Sequence, residues 1–386
     1  MAAIPQFDII IIGAGSVGSP AAFSLSQAGY KVLVLDSAPS VGQTTNKRAI
    51  GGIRATHSDP AKIRTSLRSI EIFSTWKETY GDEIEWVEGG YVFVARNEKD
   101  ASTLQNLLKI QKKFGLNIDW LDTKQMVKLV PDLNPEGLLG GTFSPEDGSA
   151  SPLLAVHANY VQAIKHGARF LFNEHVQSIQ TRAGKVIGVE TQNGKYSADI
   201  VINAAGPWAN EISKMVGLDS PVRPDSHEAA ITEAVQHFLD PMIVDISHAE
   251  GSANYYFYQH LTGQIIFCIT PRPNIWGFNT EETSSFLPMV TKRMVDLMPR
   301  LGSLRVRRTW RGLYPMTPDG APIVGTHNEV PGYISAIGMC GQGFMLGPGI
   351  GELLQRIVSN SLTAEDEETL RYFSPYRQFE GAEKLQ

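Results

Sequence analysis

Hydrophobic and polar positions change register several times along the chain, and each change predicts an element. Phe7–Ile12 is a short, nearly unbroken apolar run, as in a strand buried on both faces. Gly13-Ala14-Gly15-Ser16-Val17-Gly18 follows at once, then a small-residue helix to Gly29 and a second apolar run, Lys31–Leu35, ending on Asp36. A polar, glycine-bearing loop occupies 43–57. The next signals predict a helix over Pro60–Tyr80, with Asp59 as N-cap and Pro60 at the first helical position. A strand is expected over 86–95, a lysine-rich amphipathic helix over 97–114, a loop over 140–152 and a helix over 153–167. Strands over 177–181 and 186–191 flank Ala183-Gly184, Asn193-Gly194 makes another tight turn, and Val201 opens a buried strand running to Trp208.

From Pro221 to Arg308 period two takes over, which predicts antiparallel sheet. Tyr255–His260, a turn at Thr262-Gly263 and Gln264–Thr270 read as a hairpin, with Tyr256 and Tyr258 on one face. A helix is expected over 289–298. Strand 332–337 then runs through a second glycine-rich stretch, 338–345, into a helix from about Pro348 to Ser359. The acidic run 365–368 reads as a solvated turn. The fold class is α/β: a discontinuous Rossmann-type domain from 1–85, 145–220 and 319–386, with a second α+β domain, dominated by an antiparallel sheet, from 86–144 and 221–318.

Composition narrows the classes. A chain of 386 residues with 42% hydrophobic and 19% charged residues suits a globular protein with a large core. The net charge of −6 gives no electrostatic case for nucleic-acid binding. Two distant cysteines, Cys268 and Cys340, support neither a disulfide framework nor a metal site, so no metal is expected. Apolar runs are too short to span a bilayer and no signal peptide is evident, so the expected location is cytoplasmic.

The first motif carries the chemistry. Gly13 allows the tight turn, Gly15 lets a pyrophosphate approach the backbone, and Gly18 lets helix and strand pack closely. The helix N-terminus offers free N–H groups to phosphate, and Asp36 falls where an acid accepts from a ribose hydroxyl. NAD and FAD share this cradle. The second strand–loop–helix, Gly338–Gly351, has about 35 residues after it, too few for its own βαβ domain. The first domain must share it, with its helix N-terminus placed to stabilise negative charge on a reduced flavin.

The chain resembles the D-amino-acid-oxidase-type family of FAD-dependent oxidoreductases. It looks most like the β subunits of heterotetrameric sarcosine oxidase and dye-linked L-proline dehydrogenase, with monomeric sarcosine oxidase and glycine oxidase further off. The resemblance rests on Gly13–Gly18 with Asp36, Gly51-Gly52-Ile53-Arg54, Asn203–Trp208, Thr309–Gly320 and Gly341–Met345. It implies that Ser16 and Val17 join the glycines at the pyrophosphate, that Asp36 and Ser37 meet the adenosine ribose, and that Val176 presents its backbone to adenine. Thr44, Thr45, Arg48, Ala49, Gly51, Gly52 and Ile53 would run along the isoalloxazine. Ala205, Gly206, Trp208 and Tyr314 would pass close to the cofactor, and Gly341, Gln342, Gly343, Phe344 and Met345 would supply N–H groups to the flavin. Gln342 stands where the family carries histidine. Gly312 stands where monomeric sarcosine oxidase carries its flavin-linking cysteine, which implies non-covalent FAD.

The resemblance further implies oxidation of the C–N bond of an amino acid or secondary amine, sarcosine-, proline- or glycine-like, by hydride transfer to flavin N5. Arg54 is the expected carboxylate-binding cation, since its fork suits bidentate recognition. Tyr256, His57 and Tyr258 complete the expected catalytic set, with His260 as a further candidate. Ile266 appears in place of the lysine that promotes oxygen reaction in monomeric sarcosine oxidase, which leans toward a dehydrogenase. Rival readings are a 2-hydroxy acid or polyol dehydrogenase on the same fold, or a flavin-carrying assembly or electron-relay subunit. Expected partners are a small amine or amino-acid substrate and an electron acceptor or companion subunits.

Overall fold

The computed structural model describes residues 4–381 and 383–385. Ile9–Ile12 is hydrogen-bonded along both edges, with parallel Val32–Leu35 on one side and parallel Ile200–Asn203 on the other, and all four of its residues are buried. Arg169–Leu171 extends this sheet beyond Val32–Leu35. Tyr333–Ile337 extends it beyond Ile200–Asn203, and antiparallel Ile323–Thr326 closes that edge. The six strands thus come from the beginning, middle and end of the chain.

Helix Gly18–Gln27 leaves the first strand and packs between helices Pro152–Lys165 and Gly343–Val358. The last contact is close because Gly347 has no side chain: a Cβ there would lie 1.8 Å from the Ser16 carbonyl oxygen. Helix Gly343–Val358 therefore starts five residues earlier than the expected Pro348 and carries that proline inside it. Burial of most of its first half overrides the cost of the missing N–H. Helix Pro60–Tyr80 matches its sequence signals, with the Asp59 carboxylate accepting from the Lys62 N–H.

The second large sheet has eight strands in the order Val306–Met316, Arg223–Ala234, Gln264–Pro271, Ser252–Gln259, Met242–Asp245, Tyr91–Ala95, Gly140–Ser144 and Asp119–Leu121. All neighbours are antiparallel except the Met242–Asp245 and Tyr91–Ala95 pair. One face carries Tyr255, Phe257, Phe267 and Ile269 into a core closed by helix Phe286–Leu297. The opposite face carries Tyr256, Tyr258 and Ile266 toward the six-stranded sheet. A three-stranded antiparallel sheet, Val176–Arg182, Lys185–Thr191 and Lys195–Ser197, packs beside the nucleotide half.

Three local expectations are corrected. The stretch 140–152 contains a central strand, because its glycines fit under a neighbour: a Cβ on Gly141 would lie 2.3 Å from the Phe93 carbonyl oxygen. The strand beginning near Val201 ends at Asn203, and a short 3-10 turn takes Gly206–Trp208. The acidic run lies in helix Ala364–Phe373, where Glu365, Asp366 and Glu367 occupy the first turn behind a Thr363–Asp366 capping box.

Candidate active site

The carboxyl ends of the parallel strands, where a doubly wound sheet offers its crevice, face the inner side of the eight-stranded sheet. Between them lies a cavity of about 330 Å3. At one end Gly13, Gly15, Ser16 and Val17 line it with Asp36, Ser37 and Val176. Gly13 has φ +110°, and a Cβ there would meet the Ala204 carbonyl oxygen at 2.5 Å. Gly18 lies just outside the lining and serves packing, since a Cβ there would lie 1.8 Å from the Gly13 oxygen. A Cβ on Gly15 would meet nothing within 4 Å. Val17 gives the following helix no side-chain cap. The Asp36 carboxylate accepts from the Ala14 N–H at 2.7 Å and the Ala38 N–H at 2.8 Å. Burial pushes this carboxyl upward, against the pull of those two donors.

At the other end the wall is the eight-stranded sheet. Strand pairing sets Trp310, Ala229, Cys268 and Tyr256 side by side on four adjacent strands, all lining the cavity. The Tyr256 and Tyr314 hydroxyls meet at 3.0 Å, and the buried Cys268 thiol lies on the adjacent strand, directly opposite Tyr256. Burial pushes all three groups upward, so they stay neutral near pH 7. Thr44, Thr45, Arg48, Ala49, Gly51 and Gly52 line the facing loop. Ala205, Gly206, Trp208, Gly341, Gly343, Phe344 and Met345 complete the wall, and helix Gly343–Val358 begins there without a side-chain cap. Arg48 is the single arginine or lysine among the described residues lining the cavity.

The family model described as DAO, FAD dependent oxidoreductase, matches residues 8–357. The chain belongs to that family. It is 26% identical over 368 residues to a glycine oxidase of Bacillus licheniformis, covering 93% of this chain and 95% of that protein. It is also 26% identical over 364 residues to the mitochondrial dimethylglycine dehydrogenase of Rattus norvegicus. That match covers 90% of this chain but only 42% of the dehydrogenase, so the chain spans less than half the length of that relative. Among solved structures, the L-proline dehydrogenase from P. horikoshii superposes with a TM-score of 0.89 at 29% identity, covering 97% of this chain and 98% of the other.

The residues fit FAD. The cradle has side-chain-free space at Gly15, two helix N-termini without side-chain caps face one cavity, and Asp36 keeps lone pairs for a hydroxyl beyond its two backbone bonds. A Rossmann-type FAD-binding half thus joins an antiparallel-sheet half.

Not every expected site residue lines the cavity. Arg54 is buried and lies outside the lining, its guanidinium hydrogen-bonding to the carbonyls of Thr56 and Leu385. His57 is behind it, 3.1 Å from an Arg54 nitrogen and 3.1 Å from the Ser66 hydroxyl. Burial, together with Arg54 and Lys62, pushes the His57 imidazole well below its usual range. The Tyr258 hydroxyl donates to the Ile50 carbonyl, so it braces the loop that carries Thr44–Gly52 from behind. Ile53 and Gln342 are buried beside the lining, and His260 sits at the hairpin tip near Thr262 and Glu85. Among the wall residues absent from the expected site set are His227, Cys268 and Trp310. Period two over 223–231 puts His227 on the Ala229 face, but only the strand order places that face over the cavity.

Proposed function

We propose that the protein oxidises the C–N bond of a small amino acid or secondary amine, such as proline or sarcosine, with non-covalently held FAD. The observation that carries this reading is the wall opposite the cofactor cradle. Neutral hydroxyls of Tyr256 and Tyr314, the Cys268 thiol and the Trp310 ring enclose a small space that has one lining arginine, Arg48. FAD bound in the cradle supplies the acceptor for two electrons and a proton. The chain contributes orientation and dryness: apolar Met345, Phe344 and Trp310 exclude water, and the hydroxyl pair offers donors to a carboxylate. The relatives named above oxidise glycine, dimethylglycine and proline according to their names, which supports an amine over a 2-hydroxy acid or polyol.

A dehydrogenase is the preferred form. No lysine among the described residues lines the cavity, and Ile266 is buried with Tyr258 on the sheet outside it. A cation beside reduced flavin favours reaction with oxygen, and an electron acceptor or companion subunit takes its place here. Gly312 lines the cavity without a side chain to link the flavin. The test is anaerobic bleaching of the purified flavoprotein by glycine, sarcosine, dimethylglycine, L-proline and a set of 2-hydroxy acids. Bleaching by a secondary amine is expected. Bleaching by hydroxy acids alone would overturn the reading.

A further inference from the structure

We propose that Asp225 is a positioning residue of the oxidation site, acting through His227 on the hydroxyl of Tyr314; this rests on the C–N oxidation reading and deepens it. Asp225 has no solvent exposure. Its carboxylate accepts from the Ile275 N–H at 2.7 Å, from the Asn274 amide at 2.6 Å and from His227 Nε2 at 3.1 Å. Burial alone would push the carboxyl up, but His227 and these other donors outweigh it and hold it below its ordinary range. An ionised carboxylate only accepts, so Nε2 of His227 carries a proton and, in the neutral ring, Nδ1 carries the lone pair. Nδ1 is buried and has no hydrogen-bond partner among the described residues. His227 is 6% exposed and lines the cavity, with its ring stacked on Tyr314 at a centroid distance of 3.8 Å and an interplanar angle of 12°. Tyr314 in turn holds the hydroxyl that meets Tyr256.

Arg48 packs over Gly312, the partner of His227 across the strands, and Asp225 is the charged group bonded to the His227 ring. Tyr314, Cys268 and Tyr256 face it from the three neighbouring strands, and burial keeps them neutral. The loop after Pro271 presents an amide side chain and a backbone N–H, and Glu228 is turned to Thr283. Asp225 thus does two things without touching the ligand. It fixes the tautomer, which keeps the Nε2 proton directed at the carboxylate and leaves Nδ1 as a buried acceptor. It also holds the imidazole flat against Tyr314, so that the hydroxyl pair keeps its place.

The test is Asp225→Asn in the full chain loaded with FAD. The Ile275 backbone N–H is fixed and claims the amide oxygen, which puts the NH2 donor where His227 now donates, so the ring turns or changes tautomer. Nitrogen-15 spectra of the histidine rings, with the His227 signal identified by His227→Gln, are expected to show an Nε2-protonated ring in the parent and its loss in Asp225→Asn. Anaerobic flavin reduction by L-proline and sarcosine, followed against pH, is expected to show KM raised about tenfold and a shifted pH profile, with FAD content unchanged. In a Tyr314→Phe background the same substitution is expected to add less than about twofold, because the two act in series. If Asp225→Asn fails to fold, Asn274→Ala, which removes one donor but keeps the charge, is expected to move KM in the same direction. An unchanged tautomer, an unchanged pH profile or additive effects overturns the proposal. If no amine bleaches the parent flavin, the C–N reading is what fails, and the ring tautomer decides the Asp225 assignment.

Discussion

At the scale of single residues, the absence of a side chain governs the cofactor half. Gly13, Gly18 and Gly347 each lie where a Cβ would meet a backbone oxygen within 2.5 Å. Gly347→Ala is therefore expected to push helix Gly343–Val358 away from the Ser16 turn. The cost should be about 1–3 kcal/mol, as for overpacking in a core, and FAD affinity should fall with it. Thermal unfolding and FAD titration check both. Arg54 shows the opposite case, a side chain whose type was legible but whose partner was not. Its sequence context implied a substrate carboxylate, and the fold gives it the carbonyls of Thr56 and Leu385. Arg54→Ala is expected to lower stability by roughly 2–4 kcal/mol, since it strips buried acceptors of a charged donor. Hydrogen exchange should report loosening of residues 383–385.

At the scale of elements, short segments depend on buried charges. The loop carrying Ala55 and Thr56 is pinned by Asp147, which accepts from the Ala55 N–H and the Thr56 hydroxyl, each at 2.8 Å. Burial raises the Asp147 carboxyl to about 6, above the ordinary 3.8. Its folded state therefore binds a proton that the unfolded chain releases, so this group's contribution falls as pH rises from the ordinary carboxylate range through about 6. The last described segment behaves oppositely. Burial alone would raise Glu383, but Lys62 at 3.3 Å, His57 and Ser58 hold it well below its usual range. That contribution is present above the ordinary glutamate range and is lost as pH falls below it. Comparing melting temperatures against pH for the parent, Asp147→Asn and Glu383→Gln is expected to separate two slopes of opposite sign.

At the scale of the whole molecule, two sheets with different pairing rules build one cavity. The parallel sheet brings its strand ends and two helix N-termini to the cofactor side, and the antiparallel sheet brings a row of side chains to the other. Ligand that binds only the folded state stabilises it by mass action. Added FAD is expected to raise the melting temperature of the flavin-free protein in proportion to the logarithm of its concentration. Acid precipitation should release all flavin into the supernatant, and yellow colour left on the denatured chain would contradict non-covalent binding. Among the described residues no helix is long and apolar enough to cross a membrane.

The strand–glycine–helix–strand ending on Asp36, the hairpin around Thr262-Gly263 and the capped helix at Asp59 were all legible in the chain, because their signals act over a few residues: turn geometry, alternation and N-terminal capping. The strand at 140–144 and the early start of the helix at Gly343 were not, because glycine and proline there answer to a neighbouring backbone distant in sequence. The same divide runs through the site. Its cofactor side is written in local motifs. His227, Cys268 and Trp310, and the diversion of Arg54 to the chain's own carbonyls, depend on which strands lie side by side. Long-range packing makes that choice, and no local propensity encodes it.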